Sequence, residues 1–485
     1  MRVLILGAGI SGHTAALLLK RNLGHKHEVV VVSPNSKWNW IPSNIWVGVG
    51  KMTGQDVTFD LAEVYKRQKI VFHQALAKVI YPEGSEKDQM TQPFVEIEYT
   101  NADKKGMKEK ISYDYLINAT GPKLNFDATP GLGPNGYSHS VCTYGHAEDA
   151  FKAIDDLINK MKNGKKATFL VGTGHGTCTC EGAAFEYVFN LDFLLRSKGV
   201  RDNAKIVYIT NEAELGDFGV GGMTLSEGGY QTPGRIFAES LFVERDVDWI
   251  LGAHVKEVLN KKVIYEDLTG QSFEQEFDFS MLIPPFSGVG LTSLSKDGRD
   301  ITAELFSAAK FMKVDANYES KPYEQWTPDD WPKTYQTKYK NIFAIGIAFA
   351  PPHQISKPLK NPNGTLIAPA PPRTGMPSAI MGRAVAESIT EMIKTSSTYP
   401  TKTASMADLS AACVASAGAD IFKGSAASIT MYPVVPDFKK YPESGRNLKY
   451  TTGEIGLAGH WIKYLLHFAF MYKAKAYPFW WIIPE

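Results

Sequence analysis

The chain has 485 residues, 44% hydrophobic and 21% charged, which is the composition of a globular protein with about two to four domains. Its 52 basic and 51 acidic residues give a net charge of +1, which excludes a general electrostatic attraction to nucleic acid. No run of about 18 apolar residues is present, so we expect no transmembrane helix.

The first predicted element is a strand at Arg2–Leu6, followed by a glycine-rich turn and a helical pattern. In that turn Gly7 allows a tight bend, Gly9 lets backbone approach a pyrophosphate, and Gly12 lets the helix pack on the strand. A second buried strand, Glu28–Val32, completes a βαβ unit. The order strand, glycine turn, helix predicts a dinucleotide-binding domain.

A second unit of this kind is predicted from Ala167–Val171, the glycine turn 172–176 and a strand at Lys205–Ile209. Cys178 and Cys180 stand where a phosphate-binding helix should begin, and no acidic residue closes the second strand. We interpret this unit as a duplicated dinucleotide fold that has been adapted away from nicotinamide binding.

Two further strand-and-glycine segments, 113–121 and 341–346, bracket the second unit and return the chain to the first domain. The predicted fold is α/β, with two tandem Rossmann-like domains. The predicted divisions are 1–160 for the first domain, 161–295 for the second, 296–440 for the return segment and 441–485 for the tail.

The tail carries an apolar and aromatic helix at about 459–473, followed by a cluster of aromatic residues at 478–483. Lys463, Lys473 and Lys475 are expected to serve as basic anchors at a membrane surface. A helix docked into a groove of the protein is the alternative. An apolar terminal segment is harder to bury than an internal one, so we favour a peripheral, monotopic attachment to lipid on a membrane face that the sequence does not indicate.

These motifs together resemble one family, the sulfide:quinone oxidoreductases, within the glutathione-reductase-like flavoproteins. The resemblance rests on GAGISG, NWIPSNIWVGVG, YLINATGPKLNF, the cysteine segments, FAIGIAFAPP with PPRTGMPSAIMGRA, and the tail. It implies oxidation of sulfide to zero-valent sulfur or polysulfide, an FAD cofactor, a ubiquinone- or menaquinone-type acceptor and a homo-oligomer.

The residues expected to contact the flavin dinucleotide are contributed by six separate segments. They are Gly7, Gly9, Gly12, Ser33, Trp40, Pro42, Ser43, Asn44, Thr120, Gly121, Gly346, Arg373, Thr374 and Gly375. A quinone is flat and apolar, so its site should be lined by aromatic and branched side chains. Phe286, Ile347 and Pro351 are the candidates.

The resemblance also implies the catalytic residues. Cys180, in CEGAAFE, matches the redox cysteine of a family segment of the form CFGPAYE, Cys413 matches its partner, and Cys142 matches a third family cysteine. Hydrosulfide can attack a Cys180–Cys413 disulfide by thiol exchange. His146 and Glu186 are candidate acid–base groups.

Two assignments at this site stay open. Cys178 lies two residues from Cys180 and forms a C-x-C pair with it, so either is a candidate for the redox cysteine. The second open assignment is the identity of the general base, because Asp217 stands where some relatives have a histidine. Neither cysteine has a second ligand pair at zinc spacing, and we expect no metal site.

Two other flavoproteins remain alternatives. A type II NADH:quinone dehydrogenase shares the domains and the tail, but it needs an intact nicotinamide site and no redox cysteines. The flavoprotein subunit of a flavocytochrome sulfide dehydrogenase is exported, whereas the apolar run 3–12 is too short for an export signal. A non-catalytic flavin-binding scaffold would leave the cysteines as core residues.

Overall fold

The computed structural model describes residues 1–373, 375–418 and 422–485. Ten helices lie in these ranges: α1 Ile10–Leu23, α2 Asn44–Val47, α3 Gly54–Val57, α4 Leu61–Gln68, α5 Tyr144–Met161, α6 Glu181–Ser197, α7 Gly234–Glu244, α8 Thr302–Leu305, α9 Gly375–Thr395 and α10 Leu457–Ala474.

The same ranges contain 26 strands. In chain order they are β1 Arg2–Leu6, β2 Glu28–Ser33, β3 Lys37–Asn39, β4 Thr58–Asp60, β5 Val71–Tyr81, β6 Phe94–Tyr99, β7 Lys108–Ser112, β8 Tyr115–Asn118, β9 Pro122–Leu124, β10 Ala167–Thr173, β11 Ala204–Ile209, β12 Thr224–Glu227, β13 Tyr230–Pro233, β14 Val247–Ile250, β15 His254–Leu259, β16 Lys262–Glu266, β17 Ser272–Glu276, β18 Phe279–Ile283, β19 Phe286–Gly288, β20 Thr292–Ser293, β21 Ile342–Ala344, β22 Leu359–Lys360, β23 Leu366–Ile367, β24 Ala411–Ala417, β25 Ser425–Met431 and β26 Thr452–Gly456.

The largest sheet has the order β21-β8-β1-β2-β5-β6-β7, and β20 also pairs with β5. Its central strands β21, β8, β1 and β2 are parallel and almost fully buried, which explains their continuous valine, isoleucine and leucine runs. Leu6 pairs with Asn118, so β1 and β8 end side by side. The glycine turns that follow them therefore meet at one edge.

The second sheet has the order β14-β11-β10-β18 and is parallel throughout. Helix α6 follows β10 and packs against it and β11. This is the predicted second Rossmann-like unit, inserted between β8 and β21 of the first sheet. The α/β fold class with two such units is confirmed.

A third sheet, of order β13-β12-β26-β25-β24, carries the tail. Its hairpin β12–β13 comes from the second unit, and β24, β25 and β26 come from residues 411–456. Helix α10 packs against β25 and β24. The sheet thus joins three of the predicted chain divisions, whose boundaries stay predictions.

Candidate active site

The glycine turn after β1 has the geometry of a dinucleotide cradle. Gly7 has a φ of +100°, and a Cβ there would lie 2.1 Å from the carbonyl oxygen of Ala119. A Cβ at Gly12 would lie 2.2 Å from the oxygen of Gly7, whereas one at Gly9 would meet no atom of the described residues within 4 Å. The turn is therefore tight where strand and helix pack and open where a pyrophosphate would approach the start of α1.

Other predicted flavin residues gather around the same end of α1. A Cβ at Gly346, whose φ is +64°, would lie 2.5 Å from Ser11 Oγ. A Cβ at Gly375 would lie 3.4 Å from Ile10 and 3.9 Å from Pro42. Residues far apart in the chain thus meet at the start of α1, as the predicted flavin site requires.

Three more predicted contacts lie at the ends of β2 and β8. Gly121 has a φ of +69° and open space above its Cα. The amide and hydroxyl of Thr120 both donate to Asn118 Oδ1, at 3.2 and 2.8 Å. Ser33 is buried at the end of β2. Thr374 lies outside the described residues.

Trp40 and Ser43 face the tail helix. The Trp40 ring stacks on Phe470 with a centroid separation of 5.0 Å, and Ser43 Oγ lies 2.9 Å from His467 Nδ1. Burial lowers the pKa of His467 to about 4, so this histidine is neutral near pH 7. Direct contact of Trp40 and Ser43 with the flavin stays a prediction.

Asn44 connects the same segment to Cys142. Its side-chain amide exchanges hydrogen bonds with that of Asn39 and donates to the carbonyl of Val141 at 3.2 Å. The backbone amide of Cys142 donates to Ser140 Oγ at 3.1 Å. Burial raises the pKa of Cys142 to about 11. Asn44 thus positions the loop of the third cysteine, and its predicted flavin contact is untested.

The structure distinguishes Cys178 from Cys180. Cys178 is fully buried and its thiol donates to the carbonyl of Ile283 at 3.1 Å, as a packed core group does. Cys180 is half-buried and precedes α6 with a left-handed φ of 71°. Such backbone costs roughly 1–3 kcal/mol in a non-glycine residue and clusters at functional sites. This geometry favours Cys180 as the redox cysteine.

Cys413 lies on β24, which packs against α6. A Cβ at Gly182, two residues after Cys180, would lie 3.3 Å from Cys413 Sγ. The structure therefore brings the two predicted partners, 233 positions apart in the sequence, onto adjacent elements. Both are free thiols here.

Two cations oppose the effect of burial on these thiols. Burial and then the Glu181 carboxyl raise the pKa of Cys180 to about 12, while the guanidinium of Arg373 lowers it. Burial and then Glu186 raise the pKa of Cys413 to about 11, while the ammonium of Lys463 lowers it. The cations that favour the thiolates are thus Arg373 and Lys463.

His146 does not supply a cation. It lies in the first turn of α5, where its backbone amide donates to Thr143 Oγ1 at 3.2 Å. Its ring packs edge-on against Phe126, and Nδ1 has no hydrogen-bonding partner among the described residues. Burial lowers the pKa of His146, so the ring is neutral near pH 7. A role in proton transfer stays a prediction.

Glu186 forms a buried ion pair. Both of its carboxylate oxygens accept from Lys463 Nζ of α10, and Oε1 also accepts from the amide and hydroxyl of Ser416, at 3.1 and 2.6 Å. Glu186 therefore ties α6 to β24 and to the tail helix. Its predicted acid–base role is untested, and Lys463 and Ser416 are site residues that sequence reasoning missed.

The predicted role of the tail lysines is wrong for two of them. Lys463 pairs with Glu186, and Lys473 pairs with Glu485 at 2.7 Å and donates to the carbonyl of Ile483 at 2.8 Å. Both ammonium groups point into the protein because buried carboxylates and carbonyls surround them there. Neither is available to anionic lipid.

The outer face of the tail is apolar. Exposed large side chains on α10 and the residues after it are Leu457, Trp461, Ile462, Leu465, Leu466, Phe468, Tyr472, Tyr477, Phe479, Trp481 and Ile482. The helix thus turns polar groups inward and hydrophobic groups outward, which marks an interaction surface. No helix of the described residues is long and apolar enough to cross a membrane.

Of the candidate quinone residues, Ile347 contacts Arg373. Arg373 Nη1 donates to the carbonyls of Ile347 and Phe349, at 2.9 and 2.6 Å. Pro351 is half-buried two residues further on, and Phe286 pairs with Leu124 in a two-stranded sheet. Arg373 thus links the segment after Gly346 to the surroundings of Cys180. Quinone contacts at these positions stay predictions.

The second glycine turn is filled by the protein itself. A Cβ at Gly174 would lie 2.5 Å from Leu132, and one at Gly176 would lie 2.7 Å from the carbonyl oxygen of Leu366. Helix α6 then begins with the buried acid Glu181. A buried acid at a helix N-terminus disfavours a phosphate there. These features agree with a unit adapted away from nicotinamide.

Two Rossmann-like units with a half-buried thiol directly before α6 are the arrangement expected of a flavin-type disulfide oxidoreductase. Accordingly, the family profile of pyridine nucleotide-disulphide oxidoreductases matches residues 1–190. A sulfide-quinone reductase of Aquifex aeolicus (strain VF5) is 30% identical over 418 residues, covering 86% of this chain and 81% of that relative. The chain belongs to the sulfide-quinone reductase family. Membership implies a flavin cofactor.

Two further comparisons bear on the fold. The X-ray structure of the sulfide:quinone oxidoreductase from Aquifex aeolicus matches with a TM-score of 0.73 and 27% identity, over 98% of this chain and 91% of that one. A structure of NDH2 from Plasmodium falciparum with NADH matches with a TM-score of 0.51 and 15% identity, over 72% and 64%. The second match shows a shared fold alone.

Proposed function

We propose that this chain oxidises sulfide to zero-valent sulfur or polysulfide and reduces a quinone. The observation that carries the proposal is the approach of Cys413 to the first turn of α6 beside Cys180, in a member of the sulfide-quinone reductase family. Two thiols on adjacent elements can form and reopen a disulfide, which is the chemistry that sulfide oxidation needs.

In the proposed reaction, hydrosulfide attacks the disulfide between Cys180 and Cys413. A new sulfur–sulfur bond forms to one cysteine, and the other leaves as a thiolate that Arg373 or Lys463 stabilises. We propose that the flavin is FAD, held by Gly7, Gly9 and Gly12. When bound, it would supply a two-electron acceptor that is reoxidised by quinone.

A steady-state assay tests this function. The purified holoenzyme is expected to reduce a soluble ubiquinone analogue with sulfide as donor, and to show no turnover with NADH. The filled second glycine turn is the physical reason for the second expectation. Turnover with NADH and none with sulfide would instead establish a type II NADH:quinone dehydrogenase.

We propose that the outer face of the tail lies on lipid and brings the quinone site to the membrane. Hydrophobic side chains at a membrane interface bind in proportion to the apolar area they bury. The proposal also includes a homo-oligomer of this chain and a quinone of the ubiquinone or menaquinone type.

Membrane attachment is tested by Leu465→Glu with Phe468→Glu. These side chains are 65% and 51% exposed, and burying each in lipid contributes about 1.5–3 kcal/mol. The partition coefficient of the double variant onto phosphatidylcholine vesicles is expected to be at least about tenfold lower than that of the unmodified protein. Val243→Glu, which replaces an exposed residue of α7, is the matched control and should partition as the unmodified protein does. Equal partitioning of all three proteins would contradict the proposal.

A further inference from the structure

Helix α6 begins with an acid where the family segment has phenylalanine. Glu181 is fully buried, and neither of its carboxyl oxygens makes a hydrogen bond of good geometry with a described residue, although the side-chain amide of Asn211 lies nearby. A buried carboxyl without such bonds is costly, and its presence calls for an explanation. Glu181 directly follows Cys180, so it adjoins the reacting sulfur.

A second buried acid lies beside it. Glu212, which follows β11, accepts from the Thr210 hydroxyl at 2.7 Å and from the amide of Phe218 at 2.7 Å. The Tyr208 hydroxyl lies 3.3 Å from Glu212 Oε2 and 3.3 Å from the backbone oxygen of Glu181. Tyr208 therefore stands between the two acids.

Asp217 completes the cluster. The half-buried carboxylate of Asp217 accepts from the Ser356 hydroxyl, and the guanidinium of the buried Arg446, which also donates to the carbonyls of Val220 and Val434, opposes the effect of burial on its pKa. A cluster of three carboxyl groups and this one guanidinium is neutral overall only when it holds two protons.

The electrostatics of the cluster agree with this count. Burial and then Glu212 raise the pKa of Glu181 well above its ordinary value, and burial and then Asp217 raise the pKa of Glu212 to about 7. The titratable groups that face the three acids are Cys178, Cys180, Tyr208, Tyr323 and Arg446.

A cavity of about 300 Å³ is lined by Asp217, the acid of the cluster that reaches it. The buried residues Asn211 and Ser356 also line it, and the exposed Lys357 is at its rim. The Asn211 amide also donates to the carbonyl of Cys178 at 3.2 Å. The cavity therefore lies directly behind the turn that carries Cys180.

We propose that Glu181, Glu212 and Asp217 conduct the proton of hydrosulfide from the sulfur bound at Cys180 to this cavity. The inference rests on the proposed function. Hydrosulfide loses two electrons and one proton to become zero-valent sulfur, and the two electrons go to the quinone, which takes up two protons. The carboxyl of Glu181 receives the proton from the sulfur on one oxygen while it passes the proton on its other oxygen to Glu212. Asp217 then releases a proton into the cavity.

Glu181→Gln tests the path, because it keeps the shape of the side chain and removes its ability to transfer protons. It is expected to lower kcat for sulfide-dependent quinone reduction by about tenfold to a hundredfold, to raise the solvent deuterium isotope effect and to alter the pH profile. Asp217→Asn should act in the same direction. Glu244→Gln, on the exposed surface at the end of α7, should leave all three quantities unchanged.

A second readout is independent of turnover. At pH 7 the infrared spectrum of the holoenzyme should contain a protonated-carboxyl band that shifts in D₂O and is lost in Glu181→Gln. An unmodified protein that fails to oxidise sulfide would overturn the proposed function and the path together. Normal turnover in the unmodified protein, with the rate, isotope effect and band all retained in Glu181→Gln, would overturn the path alone.

Discussion

Replacing Cys180 with serine is expected to lower the rate of sulfide-dependent quinone reduction by about a thousandfold or more. A serine hydroxyl neither forms a disulfide with Cys413 nor leaves as a thiolate, so the attack of hydrosulfide has no target. Cys180 is half-buried and serine is close to it in size, so folding should be little affected. The measurement is the steady-state rate, with flavin content as the check on folding.

Cys178→Ser is the matched control two residues away. Its hydroxyl can replace the thiol as donor to the carbonyl of Ile283, so the sulfide-dependent rate should stay within about tenfold of the unmodified value. Loss of activity in Cys178→Ser with retention in Cys180→Ser would contradict the account and move the redox role to Cys178.

Replacing Lys463 with methionine is expected to lower the free energy of unfolding by about 3–5 kcal/mol. The substitution leaves the carboxylate of Glu186 buried without its cation, and it removes the bond from Lys463 Nζ to the carbonyl of Val414. Urea-induced unfolding of the holoenzyme measures the loss. The same substitution should also loosen α10 from β24.

Two further variants separate the ion pair from general effects of charge. Lys463→Met combined with Glu186→Leu should recover much of the lost stability, because no unpaired charge remains. Lys402→Met removes an exposed partner of Glu391 and should cost less than about 1 kcal/mol. Equal small losses in Lys463→Met and Lys402→Met would contradict a buried ion pair at Glu186.

The geometry of the first glycine turn is the part of the candidate site that the sequence predicted best, while its flavin contacts stay predictions. Gly7, Gly9 and Gly12 follow a buried strand and open a helix, and local spacing alone decides where their backbone lies. The parallel order of β8, β1 and β2 followed from the same βαβ pattern. Such features depend on residues that are neighbours in the sequence, so they can be predicted without a structure.

The electrostatic environment of the cysteines was not predictable in this way. Lys463 looked like a lipid anchor because its helix is apolar, but β24 and α6 place Glu186 opposite it from 277 residues away. His146 was a candidate acid–base group, and the structure shows that it is half-buried against Phe126 and that burial lowers its pKa. Partners brought together by tertiary packing leave no periodic signal in the chain.

Glu181 left a signal that sequence reasoning did not use. The segment CEGAAFE differs from the family form CFGPAYE by an acid next to the redox cysteine. Glu212 left no such signal. An acid of a nicotinamide site would be sought on the strand itself, whereas Glu212 lies beyond the end of β11. Only the fold shows that its side chain is buried.

Sulfide is expected to deliver electrons to the flavin through the cysteine pair. The most direct test is the absorbance of the purified holoenzyme under anaerobic conditions, with sulfide in one cuvette and NADH in another. We expect sulfide to bleach the flavin band, added quinone to restore it and NADH to leave it unchanged. Bleaching by NADH but not by sulfide would contradict the account and leave the cysteines as packing groups.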